Sequence, residues 1–522
     1  MRFRTLAGVA AGVLALAACS DTLPTSSATP KLSLDRRSDA GGGGHARKYI
    51  VIAEAEVLPG NLAGDVAADG GTVTDSLPGI GVAVVSTSDV DFATKASRIK
   101  GVRSVIPNVH VQLLPPTQLA GMVAESAAPE ADATATPLTE TFQAAQWNLT
   151  AIHAGDAWST GNTGAGARVF IIDSGIDCTH PDLAPNVNVG LSVSFVPGET
   201  GCVTPGFYFN HGTHVAGIVG AALNNYGIAG VAPDAELVAV KVIPEMSESG
   251  TFAAIIQGIM YAADHRADVI NMSLGTPPLP LGGFVDDEGN VVTTRDILEL
   301  VHAVSRATNY AWRRGSVIIA SAGNDAANRD RDRSVVIPAD LPHVLSIAAT
   351  GPVGWVLNPD SDLDVPASYT NYGRSRIDYA APGGNDVFLA QNPTVACNAF
   401  GQVVPCGALD FVFSTIAGGW SWAEGTSMAA PHASAVAALI VGKYGHMSPA
   451  KLEARLRKAA VDKGARGVDP YFGHGFLDAA EAVETPRRRD FAHRGPKWGP
   501  QWGPRAPWAG GGGGGGGNQH RR

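Results

Sequence analysis

The sequence predicts an α/β fold, in which a parallel sheet is covered by helices on both faces and is preceded by a small βαββαβ domain. Three observations lead to this prediction. The chain has 522 residues, too many for a single core. Hydrophobic residues make up 45% of it and charged residues 16%, a composition that excludes an intrinsically disordered protein. Short apolar runs also alternate with helical patterns along most of the chain, as they do in proteins with a parallel sheet.

Residues 1–19 have the pattern of an export signal. Arg2 and Arg4 precede an apolar stretch, residues 6–18, which is too short to span a bilayer as a stable helix. The stretch leads into Leu-Ala-Ala-Cys, with the cysteine at position 19, and this resembles a bacterial lipobox, whose cysteine is lipid-modified. An ordinary signal peptide with an incidental cysteine is the alternative, but the order and depth of these residues favour the lipobox. We therefore predict lipidation of Cys19 and a lipid-anchored precursor in a bacterial cell envelope.

Three further segments have the composition of linkers or tails. Residues 20–47 are rich in Ser, Thr, Pro and Gly, and residues 115–142 in Ala, Pro and Thr. Residues 486–522 combine Gly, Pro and Trp with eight basic residues and one acidic residue. Such a tail could bind an anionic polymer or a wall surface, but its composition favours an unfolded, solvated segment. The whole chain has a net charge of −10, which argues against nucleic acid as its main partner.

Residues 48–114 alternate between strand and helix patterns. The predicted order is βαββαβ, the split βαβ arrangement. The predicted strands are Lys48–Glu54, Thr72–Leu77, Gly81–Thr87 and Arg103–Leu114, and the predicted helices are Leu62–Asp69 and Phe92–Lys100. Taken alone, this domain contains no group of catalytic residues.

Apart from Cys19, the chain contains four cysteines. In an exported protein an even number indicates two disulfides, for which three pairings are possible. Short loops close most easily, so proximity in the chain favours Cys178–Cys202 and Cys397–Cys406. A four-cysteine zinc site is the alternative, and the lack of any C-x-x-C pair argues against it.

Residues 143–485 form the predicted α/β domain. Strands that are apolar on both faces and alternate with helices indicate a parallel sheet covered by those helices. In such a fold, ligands bind beyond the carboxyl ends of the strands. The predicted strands are Arg168–Ile172, Glu236–Val242, Asp268–Asn271, Val317–Ala320 and His343–Ala348, and the predicted helices are Thr213–Leu223, Thr251–His265, Arg295–Trp312 and Met428–Tyr444.

Four polar motifs follow these strands or open the helices. They are Asp173-Ser174-Gly175, the segment from His211 to Gly217, Ser321-Ala322-Gly323-Asn324, and the segment from Gly425 to His432. Each alone has an ordinary explanation as a turn, a helix cap or, for the two histidines of the second motif, a metal pair. Together, in this order, they resemble the signature blocks of the subtilase family of serine endopeptidases, over about residues 143–483. The segment 48–114 then resembles the subtilisin-type propeptide, an intramolecular chaperone and inhibitor, and the linker 115–142 is expected to contain the processing site.

The resemblance implies a catalytic triad of Asp173, His211 and Ser427. A serine hydroxyl needs an adjacent base to act as a nucleophile at neutral pH, and His211 would accept its proton. Asp173 would fix the imidazole tautomer and stabilise the imidazolium. The resemblance assigns the role of base to His211, so that His214, about one helical turn on, is expected to be structural. Asn324 matches the family's oxyanion-binding side chain.

The resemblance also implies a substrate-binding edge. Ser273, Leu274 and Gly275 follow a predicted strand and match the segment to which an extended peptide adds as a further strand. Val336 stands where family members often carry Gly at the floor of a pocket, so we expect a shallower pocket here. Insertions at residues 276–294 and 384–421 are expected to narrow the cleft.

No cofactor is required for this chemistry, but a structural calcium ion is plausible from the resemblance. Gln143, Asp182 and Asn224 match positions of the family's tight calcium site, and side-chain and backbone oxygens suit this hard cation. A simple turn at residues 224–225 is the alternative explanation.

These inferences predict an exported serine endopeptidase that hydrolyses peptide bonds of proteins through an acyl-enzyme and is made as a self-inhibited zymogen. Its expected partners are protein or peptide substrates, its own propeptide and, through the lipid alone, a membrane. We expect a monomer and a mature form that is extracellular or periplasmic. Two alternatives stay open: a catalytically silent envelope binding protein with the same fold, and a protein whose basic tail, with nucleic acid or cell wall as its target, is the functional part.

Overall fold

The computed structural model of the chain describes residues 32–34, 46–115, 119–125, 140–285 and 291–484. Cys19, the rest of the predicted signal peptide and the C-terminal tail lie outside these residues. Within them, no helix combines the length and the apolar character needed to cross a membrane.

The N-terminal part of the chain contains a four-stranded antiparallel sheet and two short helices. Its elements are, in chain order, β1 (Leu32–Leu34), β2 (Arg47–Ala53), α1 (Leu62–Ala68), β3 (Gly71–Leu77), β4 (Val82–Thr87), α2 (Phe92–Ala96), β5 (Val102–Pro107), β6 (Val109–Gln112) and β7 (Leu119–Ala124). The sheet has the strand order β3-β4-β2-β5, and the elements from β2 to β5 follow the predicted βαββαβ order.

The large domain is built on a ten-stranded sheet. Its first half contains α3 (Trp147–Ala151), α4 (Ala154–Trp158), β8 (Arg168–Asp173), β9 (Val193–Ser194), α5 (His211–Gly220), β10 (Glu236–Lys241), β11 (Ser249–Thr251), α6 (Phe252–Asp264), β12 (Val269–Met272), β13 (Leu279–Pro280), β14 (Phe284–Val285), β15 (Val291–Val292) and α7 (Thr294–Arg314). Its second half contains β16 (Val317–Ser321), β17 (Ser334–Val335), β18 (Val344–Gly351), β19 (Val365–Pro366), β20 (Tyr379–Pro382), α8 (Val387–Gln391), β21 (Ala396–Ala399), β22 (Gln402–Pro405), β23 (Val412–Ile416), β24 (Gly419–Ala423), α9 (Thr426–Tyr444), α10 (Pro449–Ala459), β25 (Ala460–Val461), β26 (Phe476–Leu477) and α11 (Ala479–Ala482).

The central sheet is largely parallel and is covered on both faces, as predicted. Its order is β25-β26-β20-β18-β16-β12-β8-β10-β9, with β19 paired to β18. All neighbours from β26 to β9 are parallel, and β25 and β19 pair antiparallel. Side chains alternate across the sheet: Val169 and Ile171 of β8 pack with residues of α5 and α9, whereas Phe170 and Ile172 pack with residues of α6 and α7.

The small sheet joins the large domain through the same alternation. Tyr49 and Val51 of β2 pack with Phe92 and the two small helices. Ile50 and Ile52 face the other way and belong to the core that contains α6 and α7. The two domains therefore share one continuous apolar layer, and burial of this layer stabilises their association.

The last predicted strand of the small domain is divided in two. β5 pairs with β2, whereas β6 leaves that sheet and pairs antiparallel with β11 of the large domain. Asn108 lies at the break, where its N–H donates to Lys48 O and its Oδ1 accepts from Ala253 N–H near the start of α6. This contact joins the break in the strand to the first turn of α6, whose N-cap residue is Thr251.

Two segments with the composition of linkers contain strands. β1 lies in the segment 20–47 and pairs antiparallel with β6. β7 lies in the segment 115–142 and pairs antiparallel with β24. The composition of both segments indicated flexible chain. Each strand instead pairs with the edge of another strand, β6 or β24, and such tertiary pairing cannot be predicted from composition.

Candidate active site

Asp173 and His211 form a hydrogen-bonded pair at the carboxyl edge of the central sheet. Asp173 is the last residue of β8 and is fully buried. His211 is the first residue of α5, where Asn210 caps the helix by accepting from Thr213 N–H. The ring Nδ1 of His211 lies 2.9 Å and 3.0 Å from the two carboxylate oxygens of Asp173. Since Nδ1 donates to the carboxylate, Nε2 is left as the acceptor; this atom is buried and has no partner among the described residues.

Ser427 lies at the start of α9 and is held by Ser273. The Ser427 hydroxyl donates to Ser273 O at 3.1 Å, and the Ser273 hydroxyl donates to Ser427 O at 2.7 Å. Ser273 directly follows β12, which is the neighbour of β8 in the sheet, so Ser427 and Asp173 lie at the same edge. The first N–H groups of a helix lack helical partners, and the helix dipole favours negative charge at this end.

Asn324 lies beside the same helix start. Its Oδ1 accepts from Thr426 N–H at 2.9 Å and from the Thr426 hydroxyl at 2.6 Å. Both contacts fix the orientation of the amide and leave its Nδ2 free to donate. A Cβ on Gly425 would lie 3.1 Å from this Nδ2, so the amide group faces the residues just before Ser427.

The predicted substrate edge is in contact with the end of β6. Gly275 N–H donates to Leu113 O at 2.9 Å, and Glu248 O accepts from the N–H groups of Leu113 and Leu114. The Leu274 side chain is fully buried in the core, so this residue can contribute to the edge through its main chain only. Val336 is also buried, and a Cβ on Gly275 would lie 3.5 Å from Val336 Cγ1.

His214 has a structural environment. It is fully buried, and its Nε2 lies 3.1 Å from Ser421 O. Burial lowers the pKa of its imidazole to about 3, so the ring is neutral at physiological pH and Nε2–H is the donor.

The residues of the predicted calcium site are only partly brought together. Asp182 Oδ2 accepts from Ile228 N–H and from the indole of Trp420, whereas its Oδ1 is buried without a partner among the described residues. Both side-chain groups of Asn224 are engaged, one with Pro181 O and one with Tyr226 N–H. Gln143 is the first residue of a short 3-10 helix, and its N–H donates to Glu140 O. In the described part of the chain, no three His, Cys, Asp or Glu side chains lie close enough together to hold a metal ion.

One residue missed in the sequence, Glu140, stands next to this loop, which includes Asn225. The Glu140 carboxylate accepts from the N–H groups of Asn225 and Tyr226. Asn225 Oδ1 is buried without a partner among the described residues, as is Asp182 Oδ1. Glu140 lies within the segment 115–142, whose composition is that of a linker. A single glutamate there gives little indication in the sequence that it belongs to the loop.

The two disulfides have the predicted pairing. Cys178 is bonded to Cys202, and Cys397 to Cys406. The second disulfide closes the hairpin formed by β21 and β22, which lies within the predicted insertion 384–421. The insertion therefore contains a regular hairpin, and β23, β24 and α9 follow it in the chain.

Glu424 lies between β24 and the start of α9, and the motifs did not indicate it. It is 7% exposed, and its Oε2 is buried without a partner among the described residues. Burial, followed by the negative charge of Asp386, raises the pKa of this carboxyl to about 9. The signal available in the sequence is a lone acidic residue between the apolar strand β24 and the segment that opens α9.

Known proteins resemble the chain over most of its length. Residues 164–475 match the profile of the subtilase family, peptidase S8. Thermitase of Thermoactinomyces vulgaris is 33% identical over 351 residues, which cover 67% of this chain and 99% of thermitase. Subtilisin E of Bacillus subtilis strain 168 is 32% identical over 346 residues, which cover 66% of this chain and 73% of that protein.

Two solved structures share the fold. The epidermin leader peptide processing serine protease of Staphylococcus aureus has a TM-score of 0.64 at 20% identity and covers 84% of this chain and 98% of its own. Fervidolysin of Fervidobacterium pennivorans, described as a keratinolytic enzyme related to subtilisin, has a TM-score of 0.61 at 22% identity and covers 86% of this chain and 62% of its own. Since the family profile matches more than half of its residues, this chain belongs to the subtilase family of serine endopeptidases.

Proposed function

We propose that this chain is an exported endopeptidase made as a self-inhibited zymogen, with Ser427 as nucleophile and His211 as general base. The observation that carries the proposal is the arrangement at the sheet edge. His211 is oriented by Asp173, Ser427 opens a helix next to Ser273, and β6 lies along β11 and Gly275 as an extended peptide would.

In the proposed reaction, Ser427 Oγ attacks the carbonyl carbon of the scissile peptide bond. Nε2 of His211 takes the hydroxyl proton and delivers it to the leaving amine as the C–N bond breaks, which leaves an acyl ester on Ser427. A water molecule, deprotonated by the same nitrogen, then hydrolyses the ester. Asp173 stabilises the imidazolium, and Asn324 Nδ2 together with the free N–H groups of the α9 start stabilises the oxyanion.

The inhibitory role of the small domain rests on where β6 ends. Gly275 N–H and Glu248 O are the main-chain groups that an added substrate strand would need. Leu113 and Leu114 use these groups in the uncleaved chain. An intact chain therefore blocks its own substrate edge until the linker is cut.

The central experiment compares wild type with Ser427→Ala and His211→Ala. We expect wild type to hydrolyse casein and to be labelled on Ser427 by a fluorophosphonate probe, and both variants to lose at least about 10³-fold in turnover. His446→Ala, a substitution at a side chain that is 74% exposed, is the matched control for His211→Ala and should keep wild-type turnover. A silent envelope binding protein would instead give a folded wild-type chain that neither hydrolyses casein nor reacts with the probe.

Export and anchoring are proposed from the N-terminal pattern. A lipid on Cys19 would lie before the small domain, so a cut in the linker 115–142 would separate the enzyme from its anchor. If the enzyme makes this cut itself, Ser427→Ala stays full-length and membrane-bound, while wild type appears partly in the soluble fraction. Cys19→Ser should abolish the membrane-bound form of both. Equal soluble release of wild type and Ser427→Ala would contradict self-processing.

We also propose a structural calcium ion at Asp182. The fit rests on two buried oxygens, Asp182 Oδ1 and Asn225 Oδ1, for which the described part of the chain offers no partner and which are acceptors of the kind that calcium prefers. Asn224 Oδ1 already accepts from Tyr226 N–H, so only its second lone pair would be left for the ion. The ion would tie the loop 224–227 to the segment that carries Asp182. We expect calcium, but not magnesium, to raise the melting temperature of EGTA-treated Ser427→Ala, and no rise would remove the ion from the proposal.

A further inference from the structure

The strand β7 occupies a groove beside the predicted active site. It is the edge strand of a three-stranded sheet, β23-β24-β7, and pairs antiparallel with β24. In this pairing Ala124 is opposite Gly419, Val123 is opposite Trp420, and Leu119 is opposite Ala423. The hairpin of β21 and β22, closed by its disulfide, forms the outer wall of the groove.

Polar groups of the large domain hold the main chain of β7. Ser421 Oγ–H donates to Gly121 O at 2.8 Å, and Gln402 Nε2 donates to Met122 O at 2.7 Å. At the end of the strand, Glu125 N–H donates to Gly418 O at 3.0 Å. These hydrogen bonds involve main-chain carbonyl and amide groups, which every peptide has. The groove can therefore bind the main chain of any extended peptide.

One side chain of β7 is anchored in an apolar pocket. Val123 is fully buried in a cluster with Trp420, Trp422, Phe413 and the disulfide Cys397–Cys406. Gly121 lies against the hairpin, since a Cβ there would approach Val404 Cγ1 to 3.1 Å. The groove thus combines sequence-independent backbone contacts with a single pocket that selects a side chain.

β6 and β7 each contact a segment next to Ser427, and the two segments are different. β6 leads to Leu113, which is bonded to Gly275, and Ser273 in the same segment accepts from the Ser427 hydroxyl. β7 begins opposite Ala423, in the strand that leads into Ser427. Only the bonds from Pro115 to Leu119 separate the two, and they span at most about 14 Å. The contacts of residues 113–114 and of residues 119–125 have the order expected of a substrate that passes the nucleophile.

We propose that the groove between β24 and the disulfide hairpin binds the leaving-group side of an extended polypeptide substrate, and that β7 occupies it in the zymogen as the second half of the inhibitory propeptide. This inference rests on the proposed function. The substrate class is unfolded polypeptide that continues well beyond the scissile bond and places an aliphatic residue at the position of Val123. Short peptides that end near the cut cannot reach this groove.

The first experiment measures competitive inhibition of casein hydrolysis by processed wild-type enzyme. The inhibitors are synthetic peptides with the sequence of residues 109–118, of residues 109–125, and of residues 109–125 with Val123→Asp. We expect the inhibition constant of the long peptide to be at least about tenfold below that of the short one, and Val123→Asp to remove this gain, because a charge would enter an apolar pocket. Equal constants for the long and the short peptide would overturn the inference.

Enzyme variants locate the effect in the hairpin. Gln402→Ala removes the donor to Met122 O and should reduce the advantage of the long peptide over the short one. Val403→Ala, at a neighbouring side chain that is 76% exposed, is the matched control and should keep the wild-type advantage. An enzyme without casein hydrolysis would contradict the proposed function instead, so the two failures are distinguishable.

A second measurement tests the zymogen itself by amide hydrogen exchange on full-length Ser427→Ala. We expect the amides of residues 119–125 to be protected, and Val123→Asp to remove this protection. Val90→Asp, the same change at a position of the small domain that is 67% exposed, should leave it intact. Rapid exchange at residues 119–125 in the parent chain, or equal effects of the two substitutions, would also overturn the inference.

Discussion

At the scale of single residues, the orientation of one imidazole and one amide decides what the site can do. Both oxygens of Asp173 lie within hydrogen-bonding distance of His211 Nδ1, so the proton of the neutral ring is held on that nitrogen and Nε2 is left as the acceptor. Asn324 is oriented in the same manner, since Thr426 engages its Oδ1 twice and leaves Nδ2 to donate. In each side chain, a hydrogen bond to one atom fixes the role of the other: Nδ1 donates and leaves Nε2 of His211 as an acceptor, and Oδ1 accepts and leaves Nδ2 of Asn324 as a donor.

Replacement of Asn324 by Ala should reduce kcat with little change in KM. The amide donates to an oxyanion that exists only in the transition state, so its loss costs about 10²–10³-fold in kcat. Asn328→Ala, in the same loop, is the control and should keep both constants. Steady-state kinetics on a peptide substrate checks this, and a rise in KM at constant kcat would show that Asn324 binds the ground state instead.

Replacement of Glu424 by Gln should make the protein more resistant to alkaline pH. The folded-state pKa of about 9 lies above the ordinary value of 4.5, so the protonated carboxyl stabilises the fold fully below pH 4.5, and this contribution is lost as the pH rises towards 9. Glutamine has no proton to lose. The difference in melting temperature, Gln variant minus parent, should therefore grow between pH 5 and pH 9 when both are measured in Ser427→Ala.

A matched control for this experiment is Glu484→Gln, at an exposed residue whose carboxyl pKa is lowered by Lys458. Its difference from the parent should not grow over the same range, because this group is already ionised throughout. A constant difference for Glu424→Gln as well would show that Glu424 is ionised in the folded protein.

The residues of the proposed chemistry were accessible from the sequence because they belong to motifs with a fixed order. Asp173, His211, Asn324 and Ser427 lie in the four motifs that resemble the family blocks. Glu424 was not accessible, because its pKa depends on burial by chain segments that are far away in sequence. The same limit applies to Asp182 Oδ1 and Asn225 Oδ1, because only the packed structure shows that the described residues offer them no partner.

At the scale of elements, helices were predicted better than the strands that leave the central sheet. The helix expected at Arg295–Trp312 is found at Thr294–Arg314, where Thr293 and Asp296 form a capping box. The strand expected at Arg103–Leu114 breaks at Asn108, where the side chain accepts from Ala253 N–H in the first turn of a helix of the other domain. A helix can be predicted from the periodicity of its own residues. The extent of a strand depends as well on the neighbouring strand with which it pairs.

The two disulfides should differ in how much they stabilise the fold. Loop-closure entropy predicts about 3.4 kcal/mol for Cys178–Cys202, with a separation of 24 residues, and about 2.6 kcal/mol for Cys397–Cys406, with a separation of 9. We expect Ser substitution of the first pair to reduce the free energy of unfolding more than substitution of the second. Urea unfolding of both variants in Ser427→Ala checks the order, and the reverse order would show that strain or packing outweighs entropy.

At the scale of the whole molecule, one arginine connects the two domains. Arg306 on α7 is 6% exposed, and its guanidinium donates to the main-chain oxygens of Ala53, Glu54, Ala55 and Ile80. A single charged side chain thus satisfies four acceptors at the edge of the small sheet. The shared apolar layer and this cluster of hydrogen bonds hold the small domain in place.

Arg306→Ala should weaken self-inhibition of the full chain. Buried acceptors lose a charged donor, at a cost of about 3 kcal/mol, and the lag before casein hydrolysis begins should shorten. Arg313→Ala is the control: its ion pair with Glu56 is about half exposed on both sides and contributes at most about 1 kcal/mol. Equal lags for the two variants would show that Arg306 does not hold the inhibitor.

The α/β architecture followed from the order of apolar runs and helices, but the path of the chain across the site did not. β1 and β7 lie in segments whose composition resembles linkers, and their pairing depends on edges supplied by β6 and β24. Only the assembled molecule provides these edges. Composition therefore did not indicate the strands β1 and β7 in these two segments.

In the proposed zymogen, the position of β6 against Gly275 gives inhibition two kinetic regimes. While the linker is intact, the blocking strand is held at a fixed local concentration, so the fraction of open sites does not depend on how much protein is present. After the cut, the same strand belongs to a separate molecule, and its occupancy follows mass action. Dilution alone then activates the enzyme, because the cleaved small domain dissociates. A membrane or a small compartment that keeps both parts concentrated would keep the enzyme inhibited, with no change in any residue.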